Sequence, residues 1–252
     1  MRTPWMIPIT GLALLLPSCS PTRPPVPQEL ASAESLPVKR KVFILFSGEK
    51  LHFGPFAVEH VRRDDDQSMD VRDYPEITSQ ASQSYTFRLD GAADGGWKGD
   101  CRSASERQSR VPRIGGIREQ RYQSTLRCDL RAADTGAVWK MFLVEADTSG
   151  RILRGILTDG NSSLDVEGTR EREGKKPSRD SHTGFEFRDG EQALGEVIRT
   201  RGEKVLFHSE LEGDRKAPLA AAAAALLLYR DPSQKMEDMV KDWVHQDQSV
   251  SL

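Results

Sequence analysis

Apolar positions along this chain fall into three patterns, and each predicts a different element. The first is unbroken: Ala217 to Tyr229 reads APLAAAAAALLLY, with no charge on any face. Ala and Leu lead the helix-propensity scale, and Pro218 suits a first turn, where its missing N–H costs nothing. Asp231-Pro232 stops the segment, because the residue before a proline is pushed out of the α region. A helix that is apolar all round has to be buried, and this one is shorter than the ~20 apolar residues that span a bilayer. A core helix over 217–229 is therefore expected, and something must wrap it.

The second pattern supplies the wrapping. Short apolar or alternating runs read as strands: Lys41–Phe46, Phe53–Val61 broken by Gly54-Pro55, Ser84–Leu89, Tyr122–Leu130, Ala137–Val144, Ile152–Leu157, Leu164–Gly168, Phe185–Arg188, Gln192–Arg199 and Val205–His208. Turn residues separate them at Asp134-Thr135-Gly136, Asp159-Gly160-Asn161 and Asp189-Gly190, the last being the strongest hairpin signal. The expected fold is mainly β: an antiparallel barrel or sandwich of about ten strands packed around the C-terminal helix. At 1.5 Å per residue the helix is roughly 20 Å long, about the length of an ordinary strand. Closing the sheet into a barrel buries every face of it, whereas a sandwich or open sheet covers one.

The third pattern is a stripe. Met236, Met239, Val240, Trp243 and Val244 repeat at helical spacing, which predicts a short amphipathic helix over 234–246 with Ser233 as its N-cap. The stripe docks on the barrel exterior, plugs its mouth, or receives a partner. Its acidic polar face (Glu237, Asp238, Asp242, Asp247) argues against anionic lipid.

The N-terminus reads differently from the rest. Arg2, the apolar run Met6–Leu16 and then Pro17-Ser18-Cys19 follow the charged, apolar and cleavage regions of a secretory signal peptide. Leu16-Pro17-Ser18-Cys19 resembles the lipobox of bacterial lipoproteins, although Pro17 departs from the usual residue at its position. The resemblance implies cleavage before Cys19, lipidation of its sulfur and acylation of the new amine, giving a palmitate-type anchor. Several acyl chains on one residue suffice for stable anchoring. Ser20, in place of the aspartate that retains enterobacterial lipoproteins, implies the outer membrane and a periplasmic domain. Residues 19–39 follow as a lipidated, Pro-rich tether, with Pro21, Pro24, Pro25, Pro27 and Pro37. The expected organisation is thus 1–18 signal peptide, 19–39 tether, 40–232 one β-rich domain and 233–252 helix and tail.

Over Lys41–Tyr229 the order of strands and terminal helix resembles the tubby/phospholipid-scramblase/LURP-one group, whose barrels enclose a hydrophobic C-terminal helix. The resemblance is architectural and carries no site residues. It implies a lipid- or partner-binding module.

Candidate chemistry changes this picture little. Charge is nearly balanced, 36 basic against 38 acidic residues, which removes any global pull toward nucleic acid. Export leaves Cys101 and Cys128 as a disulfide pair, with no CxxC spacing to suggest redox or metal work. His52, His60, His182, His208 and His245 show no metal-ligand spacing, so neither a metal nor another cofactor is expected. Asp64, Asp65, Asp66 and Asp70 read as a solvated loop, since Met69 and Pro75 occupy positions a calcium loop gives to glycine and glutamate. No nucleophile elbow or phosphate loop is present, so no catalytic residue is assigned. Arg102, Arg107, Arg110, Arg113, Arg118 and Arg121 form a candidate anion-binding group for an envelope component. The expected function is a non-catalytic binding or scaffolding lipoprotein with an envelope protein partner. A lipid-binding barrel and an unrecognised hydrolase are the alternatives.

Overall fold

The computed structural model describes residues 26–232, apart from 44–47, 74–75, 92–94, 111–117, 147–151, 170–181, 201 and 212–214, together with Met236. Twelve strands run β1 (Glu34–Phe43), β2 (Gly48–Phe53), β3 (Phe56–Asp73), β4 (Glu76–Asp90), β5 (Trp97–Arg110), β6 (Arg118–Ala132), β7 (Val138–Ala146), β8 (Ile152–Thr158), β9 (Ser163–Thr169), β10 (Gly184–Asp189), β11 (Gln192–Ile198) and β12 (Lys204–Phe207). Each pairs antiparallel with its neighbours in sequence, and β1 closes the ring on β12 through Glu34–Pro37 against Lys204–Phe207. The architecture is a closed up-and-down barrel, not a sandwich. The two strands beyond the ten expected are β2 and β5. The Gly54-Pro55 break that looked internal to one strand is the turn between β2 and β3, with Gly54 at φ 55°.

Helix α1 (Lys216–Leu228) fills the bore. Ala217 through Leu228 are all buried, and every one of the twelve strands sends at least one apolar side chain into the core they share. The division of volume explains the composition. The wall supplies the large groups, among them Phe53, Tyr85, Phe87, Trp97, Phe185 and Phe207, while the helix presents Ala220–Ala225 to them. Small helix side chains meet large wall side chains, so leucines in place of Ala220–Ala225 would overfill the same ring. Around α1 the wall is apolar inward and mostly polar outward. The single helix described here is too short to cross a bilayer.

Cys101 and Cys128 stand directly opposite each other on β5 and β6 and form a disulfide inside the wall, as the sequence implied. Gly99 lies under the Phe87 ring, where an added Cβ would sit 2.1 Å from a ring carbon. At the helix start no side chain caps the backbone, and Arg215 and Lys216 oppose the positive end of the dipole. Asp189 on β10 and Glu34 on β1 answer them, at 2.6 and 2.9 Å.

The expected tether needs correction. Strand β1 begins at Glu34, inside the 19–39 segment, and the barrel cannot close without it. Just before it, a 3-10 turn at Gln28–Leu30 lays Leu30 against Ala193, Ile198 and Leu206 on the outside of β11 and β12, with Val26 and Ala33 beside it. Residues 26–39 are therefore part of the folded domain, and proline and polar content disguised them. The expected amphipathic helix over 234–246 lies outside the described residues except Met236, which is helical and buried against Ala81 and Tyr122.

Two substitutions test this packing in urea titrations. Ala222→Leu forces a branched side chain into a filled bore and should lower stability by about 1–3 kcal/mol. Replacing Cys101 and Cys128 together by Ser should lower it by about 2–4 kcal/mol, because the bond constrains the unfolded chain. An unchanged midpoint in either variant contradicts the packing described.

Candidate functional site

The C-terminal end of α1 leaves backbone carbonyls that water cannot reach, so the wall must supply donors. The Tyr85 hydroxyl donates to Ala225 O at 2.8 Å and Arg40 Nη2 to Leu227 O at 2.9 Å. Arg199 Nη2 donates to Tyr229 O at 2.5 Å. Glu49 and Glu203 hold Arg40 in place, and Glu49 also takes Arg63 at 2.8 Å. The two deeper guanidinium groups lie over aromatic faces, Arg63 over Tyr85 and Arg199 over Phe185 and Tyr229. Burial pushes the Glu49 carboxyl upward, yet the hydrogen bond and charge of Arg63, with Arg40 and Arg230, outweigh it and hold the group below the usual range. Burial alone keeps the Tyr85 hydroxyl protonated at any working pH. This cluster seats the helix and suits the negative end of its dipole.

Strands β3 to β6 are two to three times the length of most others and run on past this cluster. Beyond Tyr85 their inward face turns from apolar to small and polar: Ser79, Ala81 and Gln83 on β4, Ser103, Ser105 and Ser109 on β5, Tyr122 and Ser124 on β6. Ser105 and Ser124 share a hydrogen bond at 2.9 Å. Gln83 donates to Asp65 at 3.0 Å and accepts from the Arg230 amide at 3.2 Å. The Tyr122 hydroxyl stands 3.5 Å from both Ser105 Oγ and the Asp231 carboxylate, and among the described residues no histidine is hydrogen-bonded to these serines. His182 is stacked on Phe185 and accepts from the Leu153 amide, His208 accepts from the Glu210 amide, and His52 and His60 lie on the outer side of β2 and β3. His245 is outside the described residues. Among the described residues no group of His, Cys, Asp or Glu could hold a metal.

The outward face of the same four strands carries the concavity, about 370 Å³ in volume. Its floor follows from the register. Asp66, Ser82, Ala104 and Thr125 form one row across β3 to β6, and Ser68, Gln80, Glu106 and Gln123 form the next. Gln80 donates to Glu106 at 3.1 Å, and the Gln67 amide to Asp66 at 2.8 Å. Two carboxylates thus sit in a field of amides and hydroxyls that can donate and accept in many directions. Arginines flank the floor. The row toward the barrel ends in Arg102 and Arg127, and the row toward the hairpin tip ends in Arg121. Asp64 continues the acidic edge along β3.

The expected anion-binding group is split by this geometry. Arg102, Arg110 and Arg121 are exposed on the outer face, and Arg118 pairs in register with Arg110 near the hairpin tip. Arg107 is opposite Tyr122, on the inward side of β5, and does not join them. Arg113 and Cys19 lie outside the described residues. The expected acidic loop is strand: Asp64 and Asp66 point outward, and Asp65 points inward to Gln83. Alternation over a strand prevents the three from encircling one ion. Apart from Asp66, already noted in the acidic cluster, the groove residues escaped sequence reading because most are an unremarkable Ser, Thr, Gln or Ala. Their alternation with Ser79, Ala81 and Gln83 was the available signal.

Tyr85→Phe should cost about 1 kcal/mol, the usual net worth of one hydrogen bond, in a urea titration. The loss should be equal at pH 6 and pH 9, because the hydroxyl does not titrate there. No family model, curated protein or solved structure matches this chain.

Proposed function

We propose that this chain is a bacterial envelope lipoprotein, anchored through Cys19 and probing its surroundings as a non-catalytic binding or scaffolding module. The observation that carries the binding half of this reading is the filled bore. With Leu219 to Leu228 buried against every strand, ligands meet the outside of the barrel. The outer face of β3 to β6 is the surface best built for that work, with a concave polar floor, acidic residues on one edge and arginines on the other. Such a face suits a polar protein partner of complementary charge pattern, since electrostatic complementarity steers encounter and sets register. The hydrolase alternative would have to draw on the Ser105, Ser124, Tyr122 and Asp231 group, whose contacts to Tyr122 are long at 3.5 Å. The scramblase-like alternative would draw on the closed barrel around a hydrophobic C-terminal helix. Among the described residues α1 takes the bore that an acyl chain would need.

Two experiments separate anchor from face. Cys19→Ser should move the protein from the membrane fraction to the soluble fraction, and continued membrane association contradicts the anchor. In cells, a photo-crosslinking residue at Ser82 should capture one defined partner. Asp66→Lys with Glu106→Lys should reduce that adduct at least tenfold while changing stability by less than about 0.5 kcal/mol, as surface substitutions do. Equal capture by the charge-reversed protein contradicts the assignment of this face.

A further inference from the structure

The strongest unassigned feature lies where the N-terminal segment crosses the barrel. Residues 26–33 cover the outside of β11 and β12 through Val26, Leu30 and Ala33, which pack on Ala193, Ile198 and Leu206. Glu196 emerges in the middle of this apolar patch, opposite Leu206 on β12 and opposite Glu186 on β10. It is 1% exposed, and its Oε2 has no hydrogen-bond partner. A carboxylate in that position is costly, because it is desolvated and faces a like charge.

We propose that residues 26–33 form a strap that docks on the barrel while Glu196 is protonated and lifts off when Glu196 ionises. The groups around the carboxyl set the balance. Glu186 on β10 is paired with Arg188, and Lys204 on β12 supplies a nearby opposing charge. On the strap side Glu29 is exposed, and Glu34 is engaged by Lys216. The pull of Lys204 toward the anion is outweighed by burial and by Glu186.

Burial first, and the Glu186 charge second, push this carboxyl from the ordinary 4.5 up to about 7. The direction of the effect follows from linkage. A group whose proton is held more tightly in the docked form favours docking in acid. That advantage is fully present below 4.5 and fades as pH rises to about 7. Lifting the strap releases eight residues, which at full extension add about 25 Å of reach to the leash. Under the Cys19 anchoring proposed above, pH would then set how far the domain stands from its membrane. The switch itself does not depend on that anchor.

Amide hydrogen exchange of residues 28–33 in the full-length protein tests the strap directly, with rates corrected for the intrinsic effect of pH. Between pH 5 and pH 8 protection should fall ten- to a hundredfold in the wild type. In Glu196→Gln, which keeps the shape without the charge, it should stay constant. Protection of β5 and β6 amides should remain unchanged in both proteins, which separates strap release from unfolding. Constant wild-type protection, or an equal fall in Glu196→Gln, overturns the proposal.

Discussion

Everything in this fold depends on burying one helix completely. An Ala- and Leu-rich segment of this kind gains nothing from water on any side, so the sheet must close, and closing it removes the exposed edges that invite aggregation. Closure needs a twelfth partner for β12, which is why the N-terminal residues from Glu34 are drawn into the ring. The small helix surface in turn fixes the large residues of the wall. Core composition, strand number and the folding of the N-terminal segment are consequences of the same constraint.

Burial also creates a debt at the helix ends, where backbone groups lack partners. The wall answers with Tyr85, Arg40 and Arg199 at one end and with Asp189 and Glu34 at the other. On the polar inner face beyond Tyr85, Ser105 pairs with Ser124 and Met236 packs on Ala81 and Tyr122, while Ser103 Oγ and Ser109 Oγ lack partners.

What the sequence made legible was the part governed by apolar periodicity. Ala217–Tyr229 announced α1 to within a residue at each end, and the Asp-Gly and Thr-Gly turns placed the hairpins of β6 through β11. The polar halves of β3, β4 and β5 were hidden, because Ser79, Gln83, Ser103 and Ser105 face inward where alternation normally shows apolar side chains. Strand pairing there rests on backbone hydrogen bonds and neighbours, a tertiary effect that overrides local propensity. Glu34–Lys39 was hidden for a different reason: it reads as tether until β12 is available to pair with it. The Cys101–Cys128 pairing was legible from the cysteine count and the expectation of export, whereas the split of the arginines required the register of β5 and β6.

The central claim is that α1 is a fixed pillar and not a removable plug. Native-state hydrogen exchange of the amides of Leu219 to Leu228 under rising denaturant measures this most directly. A pillar exchanges only through global unfolding, in step with the buried amides of β4 to β6. Exchange through a smaller opening, while the strands stay protected, would mean that the barrel releases its helix and can hold something else.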